Sequence, residues 1–146
     1  MEVFEGSYKQ FFLQHLIPNE PALLNVDIKN WPCKKQWSDD NNQNSFNIHK
    51  FCDLYKNLTA PVYDCSKTYH NSNPCQDVQI KDFKSIWLED VNGSRYLKDW
   101  HLYKEYKKQD KLDKDMFYQV PIYFQSDWLN EYYDSKSIDD DYRVVY

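Results

Sequence analysis

The chain has 146 residues, about one domain's length, and sets 18 Lys and Arg against 23 Asp and Glu for a net charge of −5. Only Gly6 and Gly93 are glycine, where average usage of about 7% would give roughly ten, so the Gly-rich loops that cradle nucleotide phosphates are excluded. The acidic balance leaves no nucleic-acid footprint, and an aromatic content of 18% is too high for a solvating disordered tail.

In chain order, Ser7 can cap a first helix over residues 7–16, where Tyr8, Phe11, Phe12 and His15 recur at helical spacing and Ile17-Pro18-Asn19 ends the run. Residues 22–26 are apolar and short enough for a buried strand. Trp31 and Trp37 flank an expected turn, followed by a polar loop over residues 38–44. Ser45 is the expected cap of a second helix over residues 46–57, with Ile48, Phe51, Leu54, Tyr55 and Leu58 on one broad face. A strand over residues 60–65, a loop over 66–77 and a short helix from Ile80 to about Glu89, carrying Phe83, Ile86 and Trp87, follow. After the turn at Asn92-Gly93-Ser94, residues 95–102 alternate as a strand. The lysine-rich run 104–114 reads as a solvated helix or loop, Ser126 as the cap of a helix over 127–133, and residues 142–146 as a strand after the acid loop Asp139-Asp140-Asp141. The five Trp are expected to anchor the core.

No stretch is apolar enough to cross a membrane and Met1-Glu2-Val3-Phe4-Glu5 does not resemble a leader, so a cytoplasmic protein with free thiols at Cys33, Cys52, Cys65 and Cys75 is expected. A facial metal site needs His-x-Asp or His-x-Glu plus a distant His. The residues two positions after the four His are Ile17, Phe51, Ser72 and Tyr103, so that motif is missing, and no nucleophile signature surrounds any Ser or Cys.

Two local patterns are more specific. Tyr96-Leu97-Lys98-Asp99-Trp100-His101, and Val120-Pro121-Ile122-Tyr123-Phe124-Gln125-Ser126-Asp127-Trp128-Leu129-Asn130-Glu131-Tyr132 after it, closely resemble the approach to the catalytic core in a family of Jumonji-C oxygenases. Ile17-Pro18-Asn19-Glu20-Pro21, residues 31–37 and Ala60-Pro61-Val62-Tyr63-Asp64-Cys65 occur in the matching order, so the resemblance spans most of the chain.

That resemblance implies a parent enzyme dependent on Fe(II) and 2-oxoglutarate, a dioxygenase on a cupin-like double-stranded β-helix, hydroxylating a lysine of a translation termination factor. The chain is expected to form a single unit, 1–146, of mixed α/β class: the N-terminal part of such a domain, with helices over one side of an incomplete β-sandwich. The three iron ligands would lie beyond it, so no metal or cofactor is expected on this chain alone. From the family, Tyr96 is expected to reach the distal carboxylate of 2-oxoglutarate. Alternation places Lys98 and Trp100 on the same face as Tyr96, which makes Lys98 a cavity-lining candidate. Packed-strand and solvent-facing roles remain open for the pair, as do a non-catalytic protein-binding module and a carbohydrate-binding domain for the whole.

Overall fold

In the computed structural model, which describes residues 2–109, 117–136 and 142–146, the first element is a two-residue strand, β1 (Val3–Phe4). Ser7 then caps α1 (Tyr8–Phe11) through a capping box with Gln10. The helix continues as a π-helical turn (Phe12–Leu16), closed by Ile17 N–H bonding to Phe12 O at 2.9 Å, and Asn19 at φ 59° turns the chain out of it. The expected buried strand at 22–26 is only β2 (Leu23–Leu24), parallel to β1, with Leu23 half exposed. The expected turn at residues 31–37 is instead a helix, α2 (Pro32–Trp37), which starts with Pro32 at its first turn, where proline's missing N–H has no helical partner to lose.

The core forms between a sheet and two helices. In α3 (Ile48–Tyr55) the buried residues are Ile48, Phe51, Cys52 and Tyr55, an i, i+3, i+4, i+7 stripe; Leu54 points to solvent, contrary to expectation. The cap is Asn47, whose side chain accepts from Lys50 N–H at 3.0 Å, not Ser45. β3 (Thr59–Asp64) is central, with β4 (Cys75–Gln79) and β5 (Arg95–Leu97) antiparallel on its two sides. The first three residues of β4 lie in what was expected to be loop. Among its five residues only Val78 is buried, and Gln and Asp are poor strand formers, so its sequence carries little strand signal. α4 (Ile80–Glu89) follows directly, inserting Ile80 and Phe83, which are 0% and 1% exposed, between α3 and the sheet.

The strand expected over residues 95–102 stops at Leu97. Asp99 adopts φ 56°, a left-handed corner, and α5 (Leu102–Lys108) begins three residues later. A 3-10 turn (Ile122–Phe124) precedes α6 (Trp128–Ser135), capped by Asp127, while Ser126 is engaged with the Tyr8 hydroxyl at 2.9 Å. The expected strand at 142–146 is one bridge, Val145 to Trp100, and Asp139-Asp140-Asp141 lie outside the described residues. Trp100 is a core anchor; Trp31 and Trp37 are half-buried, and Trp87 and Trp128 are exposed. The fold is mixed α/β, with small sheets and no closed barrel among the described residues.

Candidate functional site

The pleat of the three-stranded sheet separates two kinds of side chain. Ala60 and Val62 of β3, Val78 of β4 and Leu97 of β5 face the helices and are buried. The alternate residues face the other way. Register sets Tyr63 of β3 opposite both Cys75 of β4 and Tyr96 of β5, which lines the three up across the open face. The rings of Tyr63 and Tyr96 lie 6.3 Å apart at 31°.

Lys98 lies beyond β5, yet its N–H bonds to Pro61 O at 3.2 Å, which keeps it alongside β3. Its ammonium sits 4.9 Å from the centre of the Tyr63 ring, a cation–π contact. Tyr96 and Lys98 therefore share the face that alternation assigned them. Trp100 does not: the left-handed corner at Asp99 sends it into the core, where it is 1% exposed and its indole donates to Glu105 Oε1 at 3.0 Å. Burial pushes the Glu105 carboxyl up.

Three more groups complete the cluster. Asp99 Oδ1 accepts the Tyr146 hydroxyl at 2.8 Å, and that carboxylate holds the Tyr146 phenol above its ordinary range. A hydrogen bond with the Cys75 side chain raises Tyr63, and one with the Cys65 side chain raises Tyr96. Tyr146 spends its one O–H on Asp99, which leaves Tyr63 and Tyr96 as the phenols facing the open side. Tyr63 was readable in principle from the alternation of Ala60, Val62 and the residue after them. Tyr146 and Asp99 are 47 positions apart, and no local pattern joins them.

Phenol donors beside an ammonium suit a carboxylate ligand. They do not suit a metal: among the described residues no group of three or more His, Cys, Asp or Glu could hold a metal ion. Tyr146 also lines a cavity of about 720 Å³ with Trp31, Tyr103, Asn130 and Arg143; Tyr96 and Lys98 are not among its lining residues. Among the described residues no helix is long and apolar enough to cross a membrane.

No family model matches the chain. It is 35% identical over 150 residues to "2-oxoglutarate and iron-dependent oxygenase JMJD4" of Danio rerio, covering 97% of this chain and 33% of that protein. The protein of the same name from Homo sapiens is 31% identical over 148 residues, covering 96% of this chain and 33% of its own length. "Arginine-specific demethylase JMJ20" of Arabidopsis thaliana is 28% identical over 140 residues, 94% of this chain and 29% of its own. Nearly the whole chain is therefore homologous to the JMJD4 oxygenases, and it spans about a third of the length of these curated relatives.

Proposed function

We propose that residues 1–146 form a single unit, the N-terminal part of a Jumonji-C oxygenase that uses Fe(II) and 2-oxoglutarate to hydroxylate a lysine of a translation termination factor in the cytoplasm. The observation that carries this reading is the division of the three-stranded sheet. One face is sealed by α3 and α4, and the other presents Tyr63, Tyr96 and Lys98 as a polar aromatic surface. Such a sheet suits one wall of a cupin-like barrel, helices outside and ligand-binding groups inside.

In this reading Tyr96 donates its hydroxyl to the distal carboxylate of 2-oxoglutarate, and Lys98 lines the same cavity and balances the charge. When bound, the cosubstrate supplies the electrons for oxygen activation as it becomes succinate and carbon dioxide. The described residues do not fit iron; in the full-length relatives its ligands would come from outside the matching third, and residues 1–146 alone would be inactive.

A chimera tests this: residues 1–146 replace the matching third of the Danio rerio relative, and succinate release is measured with iron present. The expected chimera turns over, and Tyr96→Phe raises its apparent constant for 2-oxoglutarate. A hydrogen bond to a charged group is worth about 1.5–3 kcal/mol, which corresponds to a rise of roughly 10- to 150-fold. A folded chimera with no turnover would overturn the oxygenase reading, and an unchanged constant would remove Tyr96 from the site.

A further inference from the structure

Lys98 is held on the tyrosine face from two sides, by its N–H bond to Pro61 O of β3 and by the corner that follows it. β5 ends at Leu97, and within the next three residues the chain places Lys98 over Tyr63, turns through the left-handed Asp99, and drives Trp100 into the core. A non-glycine residue at positive φ is held there by its surroundings rather than by its own preference, although Asp tolerates it better than most.

The surroundings are residues 142–146. Trp100 and Val145 exchange both backbone hydrogen bonds, at 3.3 and 2.9 Å, and the Tyr146 hydroxyl reaches Asp99 Oδ1 at 2.8 Å. The same segment is tied down at its other end. Arg143 lies over the Tyr103 ring at 4.1 Å and 3.6 Å from Asp134, while Tyr142 N–H bonds to Asn130, itself buried. Asp99 is thus gripped by residues 142–146, which are themselves tied to α6 through Asn130 and Asp134.

We propose that Asp99 and Tyr146 are positioning residues for Lys98: their hydrogen bond fixes the 98–100 corner and so keeps the Lys98 ammonium on the tyrosine face, ready for an anionic ligand. The identity of the ligand rests on the cosubstrate reading above; the mechanical coupling of Tyr146 to Lys98 does not. Asp99 contributes a carboxylate as well, and Asp77 of β4, on the same side of the pleat as Cys75, adds a second to the face that carries Lys98. Neither residue need touch the ligand.

The test pairs NMR of Lys98 in the 146-residue chain with the 2-oxoglutarate dependence of the chimera described above. In the wild-type chain the Tyr63 ring should shield the ε-methylene of Lys98 and move its resonances upfield. Tyr146→Phe removes the bond and keeps the ring. It is expected to return the Lys98 resonances toward their unshielded position and, in the iron-supplied chimera, to raise the apparent constant for 2-oxoglutarate roughly 2- to 10-fold, the equivalent of a net hydrogen bond of about 0.5–1.5 kcal/mol. Asp99→Asn keeps a carbonyl acceptor and tolerates positive φ, so it should retain the wild-type Lys98 shift; this rescue separates the bond from a general loss of packing, which a thermal melt monitors. Lys98 resonances that are the same in Tyr146→Phe and wild type would overturn the proposal. A chimera whose apparent constant for 2-oxoglutarate ignores Tyr146→Phe, while the same change still releases Lys98, would sink the cosubstrate reading and support the coupling.

Discussion

Cys52 is 1% exposed within α3, and burial pushes its thiol up to about 11. Burial raises half-buried Cys33 as well. Cys65 and Cys75 are exposed and flank the tyrosine face. All four are free. Because the thiolate is the reactive species, alkylation near pH 8 followed by mass spectrometry should modify Cys65 and Cys75 first, Cys33 more slowly, and Cys52 only when the chain unfolds. Equal rates at Cys52 and Cys75 in the native chain would mean that α3 does not pack as described. The same experiment touches the candidate site, because a group attached to Cys65 removes the hydrogen-bond partner of Tyr96.

Helix ends show where a sequence carries its own signal and where it needs a partner. Ser7 was legible because its whole capping box lies within four residues. Ser45 and Ser126 were misread, since each has an equally good capping residue close by. At α3 the ambiguity is resolved by packing: Phe46 just before the cap lies 5.4 Å from Phe51, a hydrophobic staple that fits only with Asn47 as the cap. Asn47 N–H bonds to Trp37 O at 2.7 Å, and its side chain reaches Asp39 as well as Lys50. Asn47→Ala should therefore cost about 1 kcal/mol, and Ser45→Ala less than about 0.5 kcal/mol, in denaturant unfolding. The reverse ranking would return the cap to Ser45. The same division explains the longer errors. α4 and β3 were legible because their apolar periods are strong, whereas β4 is an edge strand with one buried residue and the Asp99 corner depends on a residue 47 positions away. Tyr96 and Lys98 were brought forward by a resemblance and an alternation, Tyr63 was within reach of the alternation along β3, and Tyr146 joined them only in three dimensions.

For the molecule as a whole, the two faces of the central sheet should respond differently to substitution. Phe83 is 1% exposed and lies among Ile48, Phe51, Ile80 and Leu97 in the helix-covered core. Truncating such a phenylalanine removes its transfer energy and leaves a cavity, so Phe83→Ala should cost about 3–5 kcal/mol. In a domain whose total stability is of the order of 5–15 kcal/mol, that is a large fraction, and at roughly 2–4 °C per kcal/mol for this size it lowers the melting temperature by about 6–20 °C. Tyr96→Phe, on the opposite face, loses only a hydroxyl whose partner, Cys65, is exposed. It should change stability by less than about 0.5 kcal/mol. If the tyrosine face is instead packed core, Tyr96→Phe would destabilise by more than about 1 kcal/mol, the penalty for leaving a buried partner unsatisfied. Melting the two variants side by side decides the matter: a large loss at Phe83 with none at Tyr96 separates a face that holds the fold from a face free to bind a ligand, whereas comparable losses would make both faces structural and withdraw the open sheet as a site.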